Sequence, residues 1–241
     1  LGYGSDQIYE DLYWGPTWGI PKPDDFDVVQ LGAGITPNDV TLQATSNDDL
    51  MLRIAGTSDD LTITRFFSDV RYEVEEILFA DGTIWDSQTI HGQAIGIDAS
   101  GAESDDFLVG TAVDDVLRGF GGNDYLDGRG SADLMIGGTD NDQYTVDNPG
   151  DLVVEELDGG TEWVYTSISY TLPENVENAK MFLFSPNDVN NAVALIGNDL
   201  DNYIYTNNLD NYIDPRGGND TIWSSDGNDI YNGGSGDDTY Y

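Results

Sequence analysis

Residues 119–127 read GFGGNDYLD and residues 233–241 read GGSGDDTYY. Both nonapeptides open with glycine, carry Asp at the sixth place and an apolar residue at the eighth. The same frame extends through two blocks. From Gly101 it cuts the chain into GAESDDFLV, GTAVDDVLR, GFGGNDYLD, GRGSADLMI and GGTDNDQYT. From Gly197 it gives GNDLDNYIY, TNNLDNYID, PRGGNDTIW, SSDGNDIYN and GGSGDDTYY. The sixth column holds Asp106, Asp115, Asp124, Asp133 and Asp142, then Asn202, Asn211, Asp220, Asp229 and Asp238. The eighth holds Leu108, Leu117, Leu126, Met135 and Tyr144, then Ile204, Ile213, Ile222, Tyr231 and Tyr240. Against this composition, a wholly apolar column of that depth arises by chance roughly once in a thousand once every register is allowed for.

A period of nine is too short for a helical repeat. It fits a turn of about six residues and a strand of about three, with the eighth side chain turned inward. Two units make one flattened coil of a parallel β-solenoid, in which stacking buries what a single unit cannot. Composition agrees. Of 46 acidic residues, 36 are Asp, and they stand with 29 Gly and 18 Asn, which is turn chemistry rather than solvated helix. The 39% hydrophobic content is too high for a disordered acidic tail. With 8 basic residues the net charge is −38, which makes nucleic acid and anionic membranes poor partners and asks for a cation. Absence of Cys excludes disulfides and thiolate metal sites, and one His excludes a His-rich centre. No apolar run is long enough for a membrane helix.

The pattern is G-G-x-G-x-D-x-U-x, matched in full by residues 233–241 and nearly so by 119–127. The chain thus resembles the RTX (haemolysin-type calcium-binding) family. The resemblance widens beyond the blocks. LGAGITPNDVTL (31–42), LMLRIAGTSDDLTITRFFSD (50–69) and VEEILFADGTIW (74–85) look like the haemolysin-type calcium-binding-related domain, with alternation that indicates antiparallel strands. LGYGSDQIY at the start reads as the tail of an earlier repeat, with Asp6 in phase, and 146–196 resembles wider coils that continue the solenoid. The expected fold is all-β: right-handed parallel β-roll or β-solenoid blocks with an inserted antiparallel β-rich module. The expected boundaries are 1–9, 10–91, 92–145, 146–196 and 197–241.

Calcium takes six to eight oxygens, from carboxylates and carbonyls, and glycine lets successive carbonyls face one point. The resemblance implies ions between turns two units apart. The earlier turn gives its second and fourth carbonyls, the later its first and third, and each adds its sixth-position Asp. One site then pairs Ala102, Ser104 and Asp106 with Gly119, Gly121 and Asp124. The next pairs Thr111, Val113 and Asp115 with Gly128, Gly130 and Asp133. A third pairs Phe120, Gly122 and Asp124 with Gly137, Thr139 and Asp142. In the second block Arg216, Gly218 and Asp220 face Gly233, Ser235 and Asp238, and Gly227, Asp229 and Asp6 belong to the same set. Val113 and Ser131 stand where the pattern has glycine. The repeats at Gly197 and Thr206, with Leu200, Leu209, Asn202 and Asn211 at the key places, are expected to be metal-free. No segment has the EF-hand loop.

Enzyme signals are weak. His91 has no nucleophile beside it in sequence, and acid pairs such as Asp24–Asp25 and Glu155–Glu156 are expected among 46 acids. Tyr9, Tyr13, Trp14 and Trp18 cluster near Pro16 and Pro21, and read as a hydrophobic lid or as a sugar-holding surface. Beginning mid-repeat at Leu1 and stopping on a strand at Tyr241, the chain reads as part of a larger secreted protein. The resemblance implies export by type I secretion, several calcium ions, and a role as a calcium-triggered folding and spacer module. The alternatives are an adhesin-type module for a glycan or cell surface, and the non-catalytic part of a secreted hydrolase or toxin.

Overall fold

A computed structural model describes residues 27–58, 60–68, 73–183 and 194–241, with the main chain of 7–9. Two compact units divide the chain: Leu1–Ile97 with Thr111–Val113, and Asp98–Gly110 with Asp114–Tyr241.

The first unit contains two four-stranded sheets. In one, Val40–Ala44 and Leu50–Ile54 form an antiparallel pair, continued by antiparallel Asp60–Ile63 on one side and parallel Ala94–Ile95 on the other. In the other, Gln7–Tyr9 runs antiparallel to Val28–Gln30, which pairs parallel with Glu76–Leu78, itself antiparallel to Ile84–Asp86. The strand that sequence reasoning places at the end of a repeat therefore pairs antiparallel, unlike a solenoid strand. Alternation buries Leu42, Leu50, Leu52, Ile77 and Trp85 in one core with Phe66, Phe79 and Ile90. Ile90 comes from a helix, Ser87–Gln93, whose N-terminus is capped by Asp86 accepting from the Thr89 N–H. Sequence reasoning set His91 after a strand-like segment; it lies within this helix.

The second unit is a parallel β-solenoid. One sheet of eight strands runs unbroken from Phe107–Val109 through Tyr125–Asp127, Gln143–Val146, Trp163–Thr166, Asn178–Met181, Tyr203–Tyr205 and Thr221–Trp223 to Thr239–Tyr240. The opposite wall is two four-stranded sheets, built around Val116–Gly121 with Leu134–Thr139, and around Ala194–Ile196 with Tyr212–Asp214. Within the blocks the register is one coil of two nonapeptides, as Leu108 faces Leu126 and Ile204 faces Ile222. Between the blocks the coil length varies: Gln143 faces Trp163, Trp163 faces Asn178, and Asn178 faces Tyr203, steps of 20, 15 and 25 residues. The blocks are thus joined by coils in one stack.

The eighth column is the core. Leu117, Leu126, Met135, Tyr144, Ile204, Ile213 and Ile222 are fully buried, while Leu108 and Tyr231 are half-buried and Tyr240 is exposed. A stack covers its interior residues on both sides and its ends on one.

Candidate metal centre

The turns are built by two opposed ladders of side chain to main chain. In the sixth column, the amide N–H of Asp106 donates to Asp124 Oδ1 at 2.8 Å and that of Asp124 to Asp142 Oδ1 at 2.7 Å. Asp115 and Asp133 donate likewise to Asp133 and Asp151, Asn202 to Asp220, Asn211 to Asp229, and Asp220 to Asp238. Sequence reasoning missed the second ladder, which runs the other way in the fifth column. Asn123 N–H donates to Asp105 Oδ1, Asn141 to Asn123, Asn219 to Asp201, Asn228 to Asp210, and Asp237 to Asn219. The Asn123 N–H also holds the Asp105 carboxyl below its ordinary value. The signal was present, since nine of the ten fifth positions are Asp or Asn.

The sixth-column ladder uses one carboxylate oxygen. The other, Oδ2, is buried without a hydrogen-bond partner in Asp124, Asp133, Asp142 and Asp220. In Asp124, as in Asp115 and in Asp106, whose Oδ2 also accepts from the Ala102 N–H, this oxygen leans over the first residue of its own turn, beside a carbonyl of the next coil. A Cβ on Gly101 would lie 2.6 Å from Asp106 Oδ2 and 2.8 Å from Gly119 O. One on Gly110 would lie 2.5 Å from Asp115 Oδ2 and 2.6 Å from Gly128 O. One on Gly119 would collide with Asp124 Oδ2 and lie 2.7 Å from Gly137 O. Glycine here keeps open a point where a carboxylate and a carbonyl converge.

The second and fourth positions of several turns share a left-handed backbone. Phe120 (φ 79°) and Gly122 (107°) are left-handed, as are Arg129 (66°) and Ser131 (79°), Gly138 (115°) and Asp140 (74°), and Arg216 (69°) and Gly218 (108°). Ser131 therefore adopts the backbone that the pattern assigns to glycine. Gly234 and Gly236 share it, and Gly227 does so at the fourth place alone. The carbonyls of these positions run under the next coil: a Cβ on Gly138 would strike Phe120 O, and Cβ atoms on Gly234 and Gly236 would strike Arg216 O and Gly218 O. Ala102, Ser104, Thr111, Val113, Leu200 and Leu209 lack this conformation. Thr111 and Val113 group with the first unit, and the Val113 N–H donates to Thr111 Oγ1 at 3.3 Å. Gly121 and Ser235 form parallel bridges to Glu103 and Gly217. Gly130 has open space at its Cβ. Thr139 ends a strand beside Gly121, Gly233 stands in open surroundings, and Asp229 is half-buried. Asp6, Tyr13, Trp14, Trp18 and the side chain of Tyr9 lie outside the described residues.

Electrostatics favour a bound cation. Burial, then neighbouring carboxylates, push Asp133 up to about 8, Asp142 to about 7 and Asp220 to about 6. Asp124 is raised for the same reasons. The ion pairs His91–Glu73 and Arg118–Asp98 involve none of these sixth-column acids. Among the described residues no three His, Cys, Asp or Glu side chains gather into a metal cluster. The oxygens are instead divided between carboxylates and main-chain carbonyls, a hard donor set that suits calcium.

The enzyme-like features resolve differently. Glu73 receives both Ser87 Oγ at 2.9 Å and, at 3.5 Å, His91 Nε2. The acid stands between serine and histidine, so the imidazole is not placed to activate the hydroxyl. His91 also packs against Phe66 and Phe67. Among the described residues no helix is long and apolar enough to cross a membrane.

Residues 49–89 match the haemolysin-type calcium binding protein related domain. Residues 100–135, 114–144 and 205–240 match the RTX calcium-binding nonapeptide repeat. No curated protein matches the chain. Period, solenoid, turn geometry and these matches agree: the chain carries two blocks of RTX calcium-binding nonapeptide repeats, arrays that take several calcium ions, with a haemolysin-type calcium binding protein related domain ahead of them.

Proposed function

We propose that the chain is a calcium-triggered folding and spacer module of a larger secreted protein, exported by type I secretion and without catalytic activity of its own. The observation that supports this is the row of buried, partnerless Oδ2 atoms on Asp124, Asp133, Asp142 and Asp220. Burying unpaired carboxylates costs free energy unless a cation or a proton joins them. Where calcium is scarce, repulsion at a net charge of −38 keeps the chain open. Outside the cell, calcium at roughly 10⁻⁴–10⁻³ M, the working range of extracellular modules, neutralises the turns and couples binding to folding. The ions sit between turns two units apart, on the second and fourth carbonyls of one and the first and third carbonyls of the next, with a sixth-column carboxylate from each. Far-UV circular dichroism in chelator and then in added calcium tests this. A β signal and melting temperature unchanged by the chelator would refute it.

A further inference from the structure

The geometry points to a further divalent-cation site at the end of the first nonapeptide block, where its turn 137–142 meets the longer turn 155–162 of the connecting coils, with Glu155 and Glu162 as its carboxylates. It rests on the calcium reading above, since it takes the same class of hard, oxygen-seeking ion.

The register shows how the site arises. Leu134 faces Leu152, a step of 18 residues, but Gln143 faces Trp163, a step of 20. Two residues have been added to the turn between those strands, so Glu162 arrives where a sixth-column Asp would stand. Glu155, 18 residues after Gly137, occupies the first position, where a nonapeptide has glycine. The earlier turn has the left-handed backbone of a carbonyl-donating turn, at Gly138 (φ 115°) and Asp140 (φ 74°).

Oxygens from both turns converge. A Cβ on Gly160 would strike Asp140 O and lie 2.6 Å from Glu162 Oε1. One on Gly159 would lie 2.8 Å from Gly138 O and 3.5 Å from Glu155 Oε2. One on Gly137 would strike Asp142 Oδ2 and Tyr144 Oη and lie 2.5 Å from Glu155 Oε1. Tyr144 Oη donates to Glu155 Oε1, which fixes that carboxylate from the core side. Glu162 is 1% exposed, Asp142 0% and Glu155 8%. Glu162 Oε1, Asp142 Oδ2 and Glu155 Oε2 have no hydrogen-bond partner. The acids do not close into a cluster by side chains alone; the carbonyls of Gly138 and Asp140 complete the donor set. An ion here would neutralise the seam between the first block and the connecting coils.

Crystals of the whole chain grown in calcium, then exchanged into terbium, test the site by anomalous diffraction. The expected result is a peak between residues 138–142 and 155–162 with Glu162 in its first shell, besides peaks at nonapeptide turns. Peaks at the nonapeptide turns and none here would overturn this inference alone. No peak at any turn would instead remove the calcium reading on which it rests. Calorimetric titration of Glu162→Gln, whose side chain keeps nearly the same volume, should count one calcium ion fewer than the unaltered chain. An unchanged count in a folded variant would also overturn it.

Discussion

Asp106 donates its amide N–H to Asp124 Oδ1 across one coil, and this bond leaves Asp124 Oδ2 buried and partnerless beside the Gly137 carbonyl. A single side chain thereby does two jobs. One oxygen sets the height of the stack, and the other is held ready for an ion. Because Asp124 also donates its own N–H to Asp142, it is tied to the coils on both sides. Asp238 accepts from Asp220 in the last coil, where Tyr240 is exposed.

Asp124→Ala should therefore lower both the calcium count and the melting temperature more than Asp238→Ala. The loss of a charge-assisted hydrogen bond alone is worth about 1.5–3 kcal/mol. Calorimetric titration with thermal melting measures both quantities, and equal effects from the two variants would contradict the stacking register.

Two glycines in consecutive nonapeptide turns separate space from composition. An added Cβ on Gly119 collides with Asp124 Oδ2, whereas one on Gly130 meets nothing within 4 Å. Neither glycine has a left-handed φ, so backbone strain does not distinguish them. Gly119→Ala should remove one calcium ion and lower the melting temperature. Gly130→Ala should stay within about 0.5 kcal/mol of the parent with its calcium count intact. Titration of both variants side by side checks this.

The pH response should change sign with calcium. In chelator, Asp133, Asp142 and Asp220 have folded values near 8, 7 and 6, above the ordinary 3.8. The folded chain then holds more protons than the unfolded one, so stability is fullest below about pH 4 and falls as pH rises toward about 8. With calcium in excess the carboxylates must be ionised to bind, so stability rises across the same range. Thermal melts at pH 5 and pH 8, with and without chelator, check this: from pH 5 to pH 8 the folded signal should weaken or vanish in chelator and strengthen in calcium, so the gap between the two conditions widens. Parallel trends in the two conditions would contradict the assignment.

Much of this was legible because the nonapeptide repeats its physics ten times. The inward eighth column and the sixth-column acids follow from a strand's two-residue alternation and a turn's need for acceptors, and both stand where the period places them. What lay outside the period was harder. Asp86 and Thr89 carry an N-cap signal for the helix Ser87–Gln93, but the flanking Ile84 and Trp85 read as strand. Glu162 is two residues out of phase and is not Asp, so only the register of Trp163 against Gln143 reveals its equivalence. The left-handed backbone at Phe120, Arg129 and Arg216 is set by neighbouring coils, since such residues avoid it in isolation.

Asn202 marks the opposite case, a sixth-column residue that is structural. Its Oδ1 accepts from the Asn198 N–H at 3.0 Å, and its Nδ2 donates to Asn198 Oδ1 at 3.0 Å and to Glu177 O at 3.1 Å. The side chain is nearly fully buried and already engaged at both ends, and Leu200 in the same turn lacks the left-handed backbone that would turn a carbonyl toward an ion. An amide oxygen is also a weaker calcium ligand than a carboxylate. Asn202→Ala should leave the calcium count unchanged while costing about 1–3 kcal/mol, because it strands the buried Asn198 N–H, whereas the Glu177 carbonyl keeps the Tyr203 N–H. Titration and chemical denaturation in saturating calcium measure the two quantities separately. A lost ion, or a calcium peak with Asn202 in its first shell, would show that this turn binds metal after all.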